Sequence, residues 1–331
     1  GREIAQDRRP PSNLVFLLDV SGSMNFHNKL PLLKRGMKLL VDQLDENDRV
    51  AMVVYAGAAG LVLPSTTGDN KQAIVDALER LQAGGSTNGG QGIRLAYQVA
   101  LDNYIQGGTN RVLLCTDGDF NVGTTSTGDL VRLAEQNAKN GIQLSVLGFG
   151  MGNHNDAMLE QISNKADGNY SFIDSDLEAR KVLVEQMSGT LVTIAKDVKI
   201  QVEFNPAEVA SYRLIGYENR LLEKEDFNDD SKDAGEIGAG HSVTALYEVV
   251  PVGMESDVSP APVDPLKYQE DKTLSDKSSS GELLTLKLRY KLPEQDNSIL
   301  LSTGVTDEGQ SFARATPDFK FASAVAAFGM L

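Results

Sequence analysis

Three oxygen-bearing side chains follow a strongly apolar run near the start of the chain. Residues 14–25, LVFLLDVSGSMN, begin with the pattern of a buried strand, which ends on Asp19, Ser21 and Ser23. Gly22 permits a tight turn, and residues two apart share a side of an extended or turning chain, so these side chains can converge on one point. Such hard oxygen ligands suit Mg²⁺, Mn²⁺ or Ca²⁺. The sequence therefore predicts a divalent-cation site at the end of this strand.

Two further loops carry matching oxygens. The stretch AGGSTNGGQG places Thr87 in a glycine-rich turn before a helix, and LLCTDGDFNVG ends another buried strand on Asp117. In an open α/β sheet, ligands bind outside the carboxyl ends of the strands, where such loops meet. One cysteine and three scattered histidines supply no comparable set for zinc. We therefore expect Thr87 and Asp117 to complete the oxygen site.

The elements that must position these residues alternate between apolar and amphipathic segments. This pattern predicts an α/β fold over residues 12–192, with a doubly wound, Rossmann-like, mostly parallel sheet flanked by helices. The predicted strands are 14–19, 49–56, 60–64, 111–117, 142–150 and 169–173. The segments between them have helical periodicity, and several begin with Asp, Asn or Thr as helix caps.

The second part of the chain follows a different pattern. Residues 193–331 are predicted to form a smaller antiparallel β-rich domain, because strand patterns follow one another without helices between them. The predicted strands are 196–205, 207–216, 241–251 and 282–293. Two polar inserts, at about 221–240 and 252–282, lack apolar content and are expected to be mobile. The tail from residue 307 is predicted to form a terminal helix with an apolar stripe.

The five oxygen-bearing residues, taken together, resemble the metal-ion-dependent adhesion site of von Willebrand factor type A domains, including its DxSxS signature. The strand-rich remainder and the closing DFKFASAVAAF look like the C-terminal domain of bacterial YfbK-type proteins. The resemblance implies that Ser21 and Ser23 bind the metal directly, that Thr87 does so in the ligand-ready state, and that Asp19 and Asp117 act through bound water. It implies Mg²⁺ as the cofactor, with Mn²⁺ and Ca²⁺ as alternatives.

A site of this composition leaves its cation incompletely neutralised, because hydroxyls are neutral and the carboxylates lie mostly beyond direct coordination. We therefore expect an Asp or Glu carboxylate of a partner protein to bind the ion, and we interpret the chain as a non-enzymatic adhesion or scaffold module. One alternative is an accessory subunit that presents clients to a separate ATPase. Another is a Mg²⁺-dependent phosphohydrolase, but such enzymes need a second aspartate where this chain has Ser21.

Two simpler interpretations stay open for individual residues. The serines can cap the following helix while the aspartates bind local amides, although a cap does not explain three separate loops. Asn25, Phe26 and His27 follow the turn and form either the rim of a partner surface or a plain loop.

Composition limits the partners and the location. The 331 residues are 41% hydrophobic, which is enough for two domains, and the net charge of -15 argues against nucleic acid or anionic membranes as main partners. No apolar run is long enough to span a bilayer, so we expect no direct membrane insertion by this segment. Cys115 is the single cysteine, which excludes an internal disulfide. The resemblance implies an extracytoplasmic location, periplasmic or at the cell surface, with a lipoprotein or secretory leader expected before Gly1.

Overall fold

The computed structural model describes residues 9–86, 89–118, 126–150, 156–185, 192–216, 221–232, 234–254, 274–293 and 295–331. They form two units. One unit runs to Ile194 and also includes Gly235–His241, and the other holds Ala195–Ala234 and Ser242–Leu331. Parallel strands predominate in the first unit and antiparallel strands in the second, as the two patterns in the sequence predict.

The first unit contains a six-stranded sheet in the order β3-β2-β1-β4-β5-β6. All neighbouring strands are parallel except β2 and β3, which are antiparallel. The strands are β1 (Ser12–Asp19), β2 (Arg49–Tyr55), β3 (Ala59–Thr67), β4 (Thr109–Thr116), β5 (Ile142–Phe149) and β6 (Tyr170–Ile173). The helices are α1 (Leu30–Asp42), α2 (Lys71–Glu79), α3 (Gly89–Asp102), α4 (Thr127–Lys139), α5 (Asp156–Lys165) and α6 (Asp176–Arg180). The predicted α/β fold is confirmed.

Strand β1 is buried on both faces of this sheet, which explains its uninterrupted apolar sequence. Alternate residues point to opposite faces. Leu14, Phe16 and Leu18 join the core under α1 and α2, whereas Val15 and Leu17 join the core under α3, α4 and α5. Two apolar layers therefore fix β1 in the middle of the unit. The carboxyl end of β1 lies at the end of the sheet where the parallel strands terminate, which carries the candidate site.

The second unit is built from antiparallel strands, as predicted. Strand β11 (Leu284–Lys291) pairs with both β7 (Thr193–Phe204) and β12 (Ile299–Val305). Strands β8 (Val209–Ile215) and β10 (Leu246–Pro251) form a separate pair. The Phe204 ring stacks on Tyr212 with centroids 4.1 Å apart and meets Tyr247 edge-on at 5.4 Å. Phe204 is buried in this contact, whereas Tyr212 stays 58% exposed.

The first polar insert is packed against this sheet rather than extending away from it. Its described part includes a short 3-10 turn, Glu225–Phe227, and Phe227 is buried. Lys199 is buried and donates to the backbone carbonyls of Asp226 and Asp229, and Lys291 donates to that of Asp230. The prediction from side-chain composition missed these contacts, because it is backbone carbonyls that bind the two lysines. The second insert falls largely outside the described residues.

The C-terminal segment differs from its prediction in two ways. The helix α7 covers only Pro317–Gly329, because Pro317 favours its first turn and the Thr316 side chain caps it by accepting from the Phe319 amide. Residues before it include β12, a strand that the sequence pattern did not predict.

A short return segment, Gly235–His241, contains β9 (Gly235–Gly238) and groups with the first unit. Sequence reasoning placed it in the second domain. Ala239 is buried on the α1 side of the first unit's core, and its amide donates to the Val192 carbonyl at 2.9 Å.

Among the described residues, no helix is both long and apolar enough to cross a membrane.

Candidate metal centre

The candidate centre lies where the order of strands reverses around β1. The chain passes from β1 through α1 to β2 on one side, and β4 lies on the other side of β1. Such a reversal leaves a crevice at the carboxyl ends of the strands. Asp19 is the last residue of β1, and Asp117 directly follows β4. The sheet thereby brings to one edge two carboxylates that are far apart in the sequence.

Asp19 is held rigidly at the strand end. Its Oδ1 accepts from the Ser21 amide at 2.8 Å, and its Oδ2 accepts from the Tyr55 hydroxyl at 3.2 Å. Tyr55 is the residue of β2 that pairs with Asp19 in the parallel register. Both residues are fully buried. The carboxylate is therefore fixed by one backbone donor and one side-chain donor.

Burial makes this carboxylate unusual. The pKa of Asp19 is raised from 3.8 to about 6, mainly by desolvation, and the neighbouring Asp117 charge adds to the increase. The hydrogen bonds from Ser21 and Tyr55 act in the opposite direction. A buried carboxyl with a raised pKa is one whose negative charge is incompletely compensated. A cation bound beside Asp19 would supply that compensation.

The serine hydroxyls adjoin each other after β1. Ser21 Oγ and Ser23 Oγ are 3.1 Å apart, with Ser21 buried and Ser23 exposed. Ser21 precedes the short 3-10 turn Gly22–Asn25, but the structure shows no capping hydrogen bond from its side chain within the described residues. The first residue before α1 is Lys29, not a serine. The interpretation of the serines as helix caps therefore has no support in this geometry.

A second loop docks against the serine turn through backbone hydrogen bonds. The Gly22 amide donates to the Gly85 carbonyl at 3.1 Å, and the Gly84 amide donates to the Val20 carbonyl at 2.7 Å. Gly85 has φ of +82°, a conformation that favours glycine. Thr87 itself lies outside the described residues. The loop that leads to it is bound to the serine turn as far as Gly85.

Asp117 carries an interaction that sequence reasoning missed. Its Oδ2 accepts from Lys29 Nζ at 2.7 Å, and both side chains are largely shielded from solvent. Tyr55 was also missed, although its polar hydroxyl at the end of the strand next to β1 was a usable signal. Lys29 and Asp117 are 88 residues apart, so no local pattern could connect them.

The donor set fits a hard divalent cation. Among the described residues, no three His, Cys, Asp or Glu side chains are grouped so that they could hold an ion by themselves. A cation at this edge would therefore need the hydroxyls of Ser21 and Ser23 in addition to the two carboxylates. Oxygen donors with neutral hydroxyls among them are suited to Mg²⁺, Mn²⁺ or Ca²⁺.

The comparisons with known proteins agree with this fold. Residues 13–186 match the family described as von Willebrand factor type A domain, and residues 189–331 match that described as "Uncharacterized protein YfbK, C-terminal". The Escherichia coli (strain K12) protein "Uncharacterized protein YfbK" is 45% identical over 330 residues, covering 98% of this chain and 56% of that protein. "Uncharacterized protein sll0103" of Synechocystis is 33% identical over 194 residues, and the match covers 57% of this chain and 44% of that protein.

The chain thus spans about half the length of these curated relatives. The match to a solved structure, "von Willebrand factor type A from Catenulispora acidiphila", covers 93% of this chain and 70% of the chain in that structure, with a TM-score of 0.50 and 17% sequence identity. That likeness concerns the fold alone. On the match over 13–186, the chain belongs to the von Willebrand factor type A family, and its C-terminal region is of the YfbK type.

Proposed function

We propose that this protein is a non-enzymatic binding module that grips a carboxylate of a partner protein through a divalent cation at Asp19, Ser21, Ser23, Thr87 and Asp117. The observation that carries the proposal is the arrangement at the end of β1. Two adjacent serine hydroxyls without a capping role lie beside a buried carboxylate whose pKa is raised to about 6.

The roles of the five residues follow from their chemistry. Ser21 and Ser23 would bind the ion through their hydroxyls, and Thr87 would do so when a ligand is present. Asp19 and Asp117 would act mainly through water molecules around the ion. Mg²⁺ is the proposed ion, with Mn²⁺ or Ca²⁺ as substitutes, because Mg²⁺ keeps exchangeable water that a carboxylate can replace.

The family assignment supports a binding role over an enzymatic one. The resemblance to the metal-ion-dependent adhesion site, which the DxSxS signature carries, favours an adhesion or scaffold role. The phosphohydrolase alternative needs a carboxylic acid two residues after Asp19 to protonate the leaving group, and this chain has the hydroxyl of Ser21 there. We further propose an extracytoplasmic location, in the periplasm or at the cell surface, in line with the YfbK-type C-terminal region.

The test is calorimetric titration of chelator-treated protein with Mg²⁺, Mn²⁺ and Ca²⁺. Ser23→Ala is expected to abolish saturable binding and to leave the unfolding midpoint in chelator almost unchanged, because Ser23 is exposed. Ser302→Ala, at an exposed serine of β12, is the matched control and should bind like the unaltered protein. Equal metal binding by Ser23→Ala would contradict the proposal, as would turnover of a phosphate ester by the metal-loaded protein.

A further inference from the structure

Lys29 occupies an electrostatically unfavourable place in the fold. It is the residue before α1, where the partial positive charge of the helix N-terminus opposes a cation. Its ammonium nevertheless lies inside the site, 2.7 Å from Asp117 Oδ2, with side-chain exposures of 15% for Lys29 and 3% for Asp117. A charge-assisted hydrogen bond in this shielded place offsets the unfavourable helix position.

The stem of Lys29 lies in a groove that the fold keeps open for it. Gly150 directly follows β5, and a Cβ on this residue would lie 2.7 Å from Lys29 Cε and 2.9 Å from Lys29 Cγ. A side chain at residue 150 would therefore displace the lysine. On another side, the Phe26 ring centroid is 5.4 Å from Lys29 Nζ, within the range of a cation–π interaction. Gly150 thus leaves room for the stem, and Phe26 lies beside the ammonium that donates to Asp117.

These contacts place a fixed positive charge beside a carboxylate that the proposed metal would also use. We infer that Lys29 is a resident counter-cation of the site, which neutralises Asp117 in the metal-free protein, lowers the affinity for a divalent cation and leaves the loaded site with a net positive charge. The inference rests on the proposed function, because it concerns the same metal site. It adds a specificity-determining residue outside the five proposed metal residues.

The charge balance explains why this arrangement favours an acidic partner. In formal charge, ionised Asp19 and Asp117 together equal a divalent cation, although neither is proposed to bind it directly, and the serine hydroxyls are neutral. Lys29 then contributes one uncompensated positive charge at short range, where low solvent access limits screening. The loaded site should therefore attract a carboxylate more strongly than a neutral ligand, at the cost of weaker metal binding.

The experiment compares Mn²⁺ titrations of the chelator-treated unaltered protein with Lys29→Met, Lys29→Arg and Lys38→Met. Methionine keeps most of the stem and removes the charge, so Lys29→Met is expected to bind Mn²⁺ about tenfold more tightly, as removal of a nearby repelling charge implies. Lys29→Arg keeps the charge and should bind Mn²⁺ like the unaltered protein. Lys38→Met removes a charge within α1, one that pairs with the exposed Glu79, and should have no effect on Mn²⁺ binding.

Acetate is then titrated into each Mn²⁺-loaded protein as a probe of the net charge, and Lys29→Met is expected to bind it more weakly. If the unaltered protein binds Mn²⁺ but Lys29→Met binds it equally or more weakly, Lys29 only orients Asp117 and the inference fails while the metal site stands. Equal or tighter acetate binding by Lys29→Met also overturns the inference. If neither protein binds Mn²⁺, the proposed function fails and the inference fails with it.

Discussion

Replacing Asp19 by Asn should stabilise the metal-free protein at neutral and alkaline pH. The carboxyl of Asp19 is fully buried, and its pKa is about 6 in the folded protein against 3.8 for the free group. The folded state therefore binds this proton more tightly than the unfolded state does. The contribution of Asp19 to the free energy of unfolding should therefore be highest below about pH 4, fall as the pH rises towards 6 and stay low above it.

The size of the effect follows from the two pKa values. Each pKa unit corresponds to about 1.4 kcal/mol, so ionised Asp19 costs the metal-free folded state about 3 kcal/mol above pH 6. Asparagine has nearly the same shape, its Oδ1 can accept from the Ser21 amide, and its Nδ2 can donate to the Tyr55 hydroxyl. Asp19→Asn should therefore regain most of this free energy at about pH 8 and almost none at about pH 4.

Denaturant unfolding in excess chelator, at both pH values, measures the difference. Added Mg²⁺ should stabilise the unaltered protein and have little effect on Asp19→Asn, because a ligand stabilises only the state that binds it. A metal-free Asp19→Asn protein that is less stable than the unaltered one at about pH 8 would refute the reasoning. A stabilisation of equal size at both pH values would refute it as well, since ionisation could not then be its cause.

Two further predictions concern the fold. Gly168→Ala should lower the free energy of unfolding by about 3 kcal/mol or more, because the new Cβ would lie 1.8 Å from the Leu144 carbonyl oxygen. Gly60→Ala has open space around the new Cβ and should leave this free energy nearly unchanged in the same denaturant titration. Lys199→Met should lower the free energy of unfolding by about 2 kcal/mol, because the carbonyls of Asp226 and Asp229 in the first polar insert lose their donor. Limited proteolysis should then cleave near Asp229. Equal protease resistance of Lys199→Met and an exposed-pair control, Lys287→Met, would contradict that assignment.

The parts of the fold that the sequence predicted well are those with strong local patterns. The apolar run ending at Asp19 predicted β1 because a strand buried on both faces must be apolar throughout. The segment ILLSTGV of β12 was missed because the strand is largely exposed. Its apolar and polar residues do not alternate along the strand, so the sequence does not indicate a buried face. The helix α7 was predicted too long because the pattern before Pro317 was read as helical, although the residue before a proline disfavours helix.

The residues of the candidate site could be predicted where they follow the end of a strand. They could not be predicted where contacts between distant parts of the chain position them. Asp19, Ser21 and Ser23 form a local pattern, and Asp117 ends a second apolar strand in the same way. The Lys29 ammonium reaches Asp117 because the residue before α1 and the residue after β4 lie close together in the fold, and Gly150 leaves room for the lysine stem. Packing of this kind depends on three segments that are far apart in the chain, so no spacing in the sequence indicates it.

The ribosome synthesises the return segment Gly235–His241 only after Ala195–Ala234, although it groups with the unit that precedes them. During translation, the place that Ala239 fills beside Val192 therefore stays empty while part of the next domain is already emerging. A nascent chain that pauses in this interval would expose an unfinished apolar core to chaperones and proteases. For the same reason, a chimera that takes the first unit from a relative needs two stretches of that relative's gene. A single junction near residue 192 would leave Ala239 with the second unit.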